Sequence, residues 1–250
     1  MPTIASMIPS PPFVWAELIT DDLAAATSFY GAVLGWRGSA APGTHDLVVH
    51  LDVARIAGPI CGMRPRQPND ARPVGGAIDP TVDRWNVRLS PPRPPRAADP
   101  AGDQLLRPRS PGPRLGRWAS PSSLCFAELR TQDVEGARRW FERRLDAILE
   151  PVDPLADPGL GTFVMQSSVD PSLNVACVVD EPDPAEVGWV PCVQVASLAS
   201  TLEDARLAGV AAVRERPVPQ GCAGTAAAEL TDPGGARFVL VENGPAYGRR

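Results

Sequence analysis

The chain has no lysine: every one of its 24 Lys-or-Arg positions is arginine. That excludes Schiff-base chemistry on a lysine amine and the lysine of a phosphate-binding loop, and it leaves planar guanidiniums as the side-chain cations. Histidine is almost as scarce, with only His45 and His50. No apolar run approaches the ~20 residues of a membrane helix, and Met1 to Pro12 has neither a basic start nor a long apolar stretch. Neither a membrane partner nor a secretory signal is expected, and a cytoplasmic location is the default. Cys61, Cys125, Cys177, Cys192 and Cys222 are widely spaced with no C-x-x-C pair, which points to reduced, buried thiols and away from a disulfide framework or zinc site. There is no G-x-S-x-G, and Gly234-Gly235 falls between strands and not ahead of a helix, so neither a nucleophile elbow nor a dinucleotide fingerprint is present. The net charge of −5 argues against nucleic acid as a partner.

What is present is a strand followed at once by a helix. In Phe13 to Trp36, Val14, Ala16 and Leu18 alternate with Trp15, Glu17 and Ile19 at the period of a pleated strand. Thr20, Asp21 and Asp22 then supply capping oxygens, Leu23, Ala26, Tyr30 and Leu34 recur at helical spacing, and Gly35 stops the helix. The signature returns 111 positions later. Ala16, Glu17, Leu18, Thr20, Asp22, Ala26 and Leu34 reappear as Ala127, Glu128, Leu129, Thr131, Asp133, Ala137 and Leu145, which reads as an internal duplication.

The length of 250 residues suits two modules of ordinary size, and 44% hydrophobic with 21% charged residues is enough apolar surface for a core. Residues 1–89 read as a first, truncated module, 90–122 as a Pro/Arg-rich connector and 123–250 as the second module. After Trp36, residues 39–45 read as a turn, followed by strands over Asp46 to Val53, Ile56 to Met63 and Trp85 to Leu89, with Arg64 to Val82 as a surface connection. In the second half, strands are expected at Gly161 to Ser167, Asn174 to Val179, Gly188 to Val195, Ala211 to Arg216, Thr225 to Thr231 and Arg237 to Val241. A helix over Leu198 to Ala208 closes at Gly209. Aligning Trp85 with Trp189 sets the prolines of residues 90–104 against that helix, where each would remove a donor and clash with the preceding turn. Coil is expected over 90–122, as a linker, a decayed quarter or a stretch read out of frame.

The repeated A-E-L-x-T-x-D-x-x-x-A opening, the aromatic pairs Phe29-Tyr30 and Trp140-Phe141, and the closing D-P-x-G-A-x-F-x-L-x-E from Asp232 to Glu242 resemble the vicinal oxygen chelate superfamily of glyoxalase I, extradiol dioxygenases and bleomycin-resistance proteins. The nearest look is to two-module actinobacterial glyoxalase-like proteins. The resemblance implies an α+β fold: tandem βαβββ modules whose curved mixed sheets enclose a shared cavity, here with the first module incomplete. It implies that Trp15 and Glu17, and Phe126 and Glu128, face that cavity. In metal-dependent members, ligands sit at the positions matched here by Trp15, Phe126 and Val239. None of the three carries a donor, so no cofactor is expected, with a divalent metal on other ligands left as the alternative.

Glu17 and Glu128 are the candidate acid–base pair, able to meet across the pseudo-twofold or, in the plainer alternative, to pair with an arginine such as Arg130. His50, on a strand, is the candidate proton carrier. Trp15, Trp85, Phe126 and Trp189 are candidate aromatic walls, with Arg88 selecting an anionic ligand; ordinary core packing is the alternative for Trp85 and Trp189. The expected function is binding of a small organic molecule or natural product. The alternative is a lyase, isomerase or ring-cleaving dioxygenase with displaced metal ligands. An open sheet edge in the incomplete module could be covered by homodimerisation.

Overall fold

The computed structural model describes residues 13–40, 46–51, 59–67, 70, 82–89, 121–145, 149–151, 163–166, 174–218 and 224–243. The first strand, β1 (Phe13–Thr20), runs into helix α1 (Leu23–Leu34) as the sequence predicts. Asp22 caps it by accepting from the Ala25 N–H at 2.9 Å, and Gly35 ends it at φ +67°, a left-handed conformation glycine adopts without strain. Strands β2 (Trp36–Ala40), β3 (Leu47–Leu51) and β4 (Pro59–Pro65) follow, then β5 (Arg84–Leu89). The expected turn after Trp36 is therefore partly strand: Trp36 to Ala40 pair antiparallel with Leu51 to Leu47. Ladder bonds there override a sequence of small residues that looks like loop.

The second half contains β6 (Leu124–Thr131), α2 (Val134–Leu145), β7 (Leu149–Pro151), β8 (Phe163–Gln166), β9 (Asn174–Asp180), β10 (Gly188–Val195), α3 (Leu198–Leu207), β11 (Ala212–Arg216), β12 (Gly224–Thr231) and β13 (Arg237–Asn243). Only β7, three residues long, had no expectation attached to it. The connector expected over 90–122 lies outside the described residues except for the turn at its end, as does most of the Arg64 to Val82 connection.

One connection recurs three times. A strand, a helix and three strands form a patch in the order first, fourth, third, second, with first and fourth parallel: β1-β4-β3-β2, β6-β9-β8-β7 and β10-β13-β12-β11. β5 takes the place of a further first strand, since it lies antiparallel to β1 as β10 lies antiparallel to β6. A contact between Trp85 and Trp189 joins β5 to β10, making one 13-stranded sheet.

The three α-helices among the described residues pack into one core on one face of the sheet. The main core there gathers Ala16, Leu18, Phe29, Tyr30, Trp36 and Trp85 with Phe141, Phe238 and Leu240. Tyr30 is fully buried; its ring stacks on Trp36 at 5.4 Å and meets Trp85 edge-on at 5.6 Å, while its hydroxyl donates to Asp232 Oδ2 at 2.9 Å. That bond ties the first helix to the hairpin between the last two strands. Gly234 belongs to the same junction, because a Cβ there would lie 2.1 Å from the Asp83 carboxylate. Among the described residues no helix is long and apolar enough to cross a membrane.

Candidate functional site

The helix-free face owes its character to strand alternation. On β10, Val193 and Val195 join the helix-side core, so Val190, Cys192 and Gln194 point the other way. On β6, Leu124, Ala127 and Leu129 face the helices while Phe126 and Glu128 face away. A bulge between Cys192 and Val193 turns Cys125 out of the pattern, and it packs beside Phe126 where simple alternation places it with the helix. The helix-free face thus collects a second apolar cluster of Phe126, Cys177, Val190, Cys192, Ala227, Val239 and Val241, none more than 5% exposed.

Charged side chains cross over this floor. Arg130 of β6 donates to Glu128 Oε2 at 3.1 Å and to both oxygens of Glu229, at 3.2 and 2.5 Å. Arg216 of β11 donates to both oxygens of Glu128, at 2.9 and 2.6 Å, and Arg214 donates to Glu229 at 2.9 Å. In a flat sheet β11 and β6 are four strand spacings apart, roughly 19 Å. An arginine and a glutamate cannot span that together, so the Arg216 to Glu128 contact requires the sheet to curl with its helix-free face inward. The inward-curled face, called the hollow below, is a consequence of the strand order and this bridge, and its floor is closely packed.

The charges in the hollow are tuned by one another. Burial alone would raise the Glu229 carboxyl, but Arg130 and Arg214 hold it below the usual carboxylate range; burial would likewise lower Arg130, but Glu229 and Glu128 hold its guanidinium above its ordinary value. Arg237, next to Glu186, is pushed down to about 10 by burial and by Arg130 nearby. Glu128 and Glu229 are almost fully buried, which is tolerable because their oxygens accept charged hydrogen bonds.

Of the residues singled out by sequence, Phe126 lies on the floor of this hollow and Glu128 at its bridge. Glu17 is likewise on the helix-free face of its strand, but Arg64 takes it at 2.9 Å, and Arg64 is also held by Asp70 at 2.5 and 2.7 Å. Glu17 and Glu128 are not brought together. β5 and β10 stand between their strands, and each is engaged by its own arginines. Trp85 and Trp189 oppose each other in register but pack toward the helices, against Tyr30 and Phe141 respectively. That corrects the expectation of aromatic walls at these two positions: the parity of β5 and β10 gives them to the core. For Trp15, Arg88 and His50 the structure describes the backbone: Trp15 pairs with Arg88 across β1 and β5, and His50 with Arg37 and Pro59 on β3. Sequence reasoning missed Arg216, Glu229 and Gln194. The signal available was parity, since Arg214 and Arg216 share one face of β11, and Glu229 breaks the run Ala226-Ala227-Ala228.

Three solved structures share this architecture. The 2,3-dioxygenase LapB from Pseudomonas sp. KL28 is 14% identical with a TM-score of 0.52, covering 94% of this chain and 92% of its own. A Mn(II)-bound glyoxalase from Novosphingobium aromaticivorans is 10% identical with a TM-score of 0.56, over 94% and 82%. BphC, a halotolerant catechol dioxygenase, is 13% identical with a TM-score of 0.53, over 95% and 88%. A family described as bleomycin resistance protein-like N-terminal matches residues 12–43. The fold is that of the vicinal oxygen chelate superfamily. No curated protein matches the chain. Likeness at such identities is a likeness of fold, and one fold carries many chemistries.

The residues of the hollow do not fit a divalent metal such as the Mn(II) of the Novosphingobium glyoxalase. Phe126 and Val239 are the register partners of Cys192 on its two sides, so two of the three positions that the resemblance matches to ligands flank one thiol and offer only a benzyl and an isopropyl group. The nearby carboxylates of Glu128 and Glu229 already accept from guanidiniums, and a metal would have to displace them. Among the described residues no three His, Cys, Asp or Glu side chains gather to hold a metal.

Proposed function

We propose that the protein binds a small organic molecule in the hollow of β9-β6-β10-β13-β12-β11, without a divalent metal. The observation that carries this reading is the arginine and glutamate bridge over an apolar floor, where Phe126 and Val239 offer no metal donor and the nearby carboxylates are held by guanidiniums. Apolar walls with a few fixed polar groups suit a bulky or planar natural product, which the floor holds by burial and the guanidiniums orient. The match of residues 12–43 to a bleomycin-resistance-like family supports sequestration over turnover. A thermal-shift screen of natural products and metabolites tests it: a ligand raises the melting temperature, and Phe126→Ala weakens that rise. A screen in which binders act equally on wild type and Phe126→Ala places the site elsewhere.

A second reading has one observation in its favour, the fold shared over most of the chain with a Mn(II)-bound glyoxalase and with dioxygenases. In it the protein is a lyase, isomerase or ring-cleaving dioxygenase with displaced ligands. Elemental analysis of purified protein separates the two. A stoichiometric transition metal, lost on replacing Glu17, Glu128 or His50, establishes the enzyme and removes the metal-free binder.

A further inference from the structure

Gln194 interrupts an otherwise apolar inward row. Val190 and Cys192 precede it on the same face of β10, and Val241 is its register partner on β13. Its backbone needs no help from the side chain, because the Gln194 N–H donates to Ser123 O at 2.9 Å and its carbonyl accepts from the Ser122 N–H at 2.6 Å. The residue is 4% exposed, yet its side-chain Oε1 has no hydrogen-bond partner. A carbonyl oxygen stripped of water and left unpaired is destabilising, and an apolar residue of the same size would avoid that cost. Such a group is explained when a molecule not part of the chain supplies the donor.

We propose that Gln194 Oε1 accepts a hydrogen bond from the bound molecule, which defines the ligand class as an apolar body carrying an N–H or O–H donor. This rests on the reading of the hollow as a binding site and deepens it. An apolar molecule lacking a donor leaves Oε1 unpaired and dry, and so loses affinity relative to its donor-bearing twin even when its shape is the same. The charged bridge plays no part in this discrimination, since its acceptors are already taken by Arg130, Arg214 and Arg216.

Indole and indene, alike in shape and differing by one N–H, are the probes. Their dissociation constants for the full chain, measured by NMR titration, are expected to differ about tenfold in favour of indole, the size of one good hydrogen bond. In Gln194→Met, which keeps the volume and removes the acceptor, the ratio falls to about one; in Gln194→Glu, which keeps an acceptor, a preference for indole remains. Gln194→Met also melts no lower than wild type, because no native hydrogen bond of Oε1 is lost. Equal binding of both probes to wild type overturns the assignment to Gln194 and leaves the hollow as a binding site. A preference for indole that survives in Gln194→Met overturns it too, and so does a marked loss of stability in that variant. Failure of wild type to bind either probe overturns both the assignment and the reading beneath it.

Discussion

Glu229 and Asp232 stand three residues apart at the end of β12, and both are almost fully buried, at 5% and 2% exposure, yet the two faces of the sheet treat them oppositely. Glu229 points into the hollow, where Arg130 and Arg214 hold its carboxyl low against the effect of burial. Asp232 sits on the helix side and is pushed up to about 6, first by burial and then by the charge of Asp83, despite accepting from Tyr30, Gly234 and Ala236. The comparison separates two ways of burying a carboxylate. A neutral donor shell lowers the cost of dehydration without cancelling it, whereas a guanidinium partner reverses its sign.

The strongest way to break the comparison is to remove the guanidinium. Arg130→Met leaves Glu128 and Glu229 short of their shared partner and is expected to cost ~3–5 kcal/mol of unfolding free energy in urea titration. Arg64→Met, in the first half, is expected to cost roughly 2 kcal/mol, because Glu17 and Asp70 lie closer to water, at 8% and 15% side-chain exposure against 2% and 5% for Glu128 and Glu229. Equal losses would mean that the hollow is no drier than the first-half cluster.

The next effect is read by pH. Asp232 has a folded-state value, about 6, above its unfolded value near 3.8, so the folded state binds its proton more tightly. Its contribution to stability is greatest below about pH 4 and declines as pH rises to about 6, by about 3 kcal/mol. Glu229, held low, has the opposite sign: its stabilisation is present above its unfolded value near 4.5 and is lost as pH falls through the lower folded one. Unfolding curves of Asp232→Asn from pH 4 to 7 are therefore expected to lose the decline that wild type shows between 4 and 6. If the decline persists in the variant, another group is responsible. Tyr30→Phe removes one buried hydrogen bond to Asp232 and, like Arg64→Met at the low end of the four, is expected to cost about 2 kcal/mol in the same titration.

Much of the fold was legible because parity and periodicity are local. The alternation of Ala16 and Leu18 with Glu17, the cap at Asp22 and the stop at Gly35 are written within a few residues, and the structure places each as read. The strand at Trp36–Ala40 was not, because small residues bias a chain toward loop until a neighbouring strand supplies hydrogen bonds. The site was less legible still. Matching Glu17 with Glu128 identifies two equivalent strand positions but not their partners, which come from β4 in one case and from β6 and β11 in the other.

By itself the sequence determined which residues alternate, where helices start and stop, and that no metal donor stands at Phe126 or Val239, since each of these depends on identity and short spacing. Only the tertiary structure decided that Arg216 reaches Glu128 from four strands away, that Trp85 and Trp189 belong to the core, and that Gln194 ends with its oxygen unpaired. Those outcomes depend on how the sheet curls. Curling is a sum of small twists over many strands that no stretch of residues encodes alone.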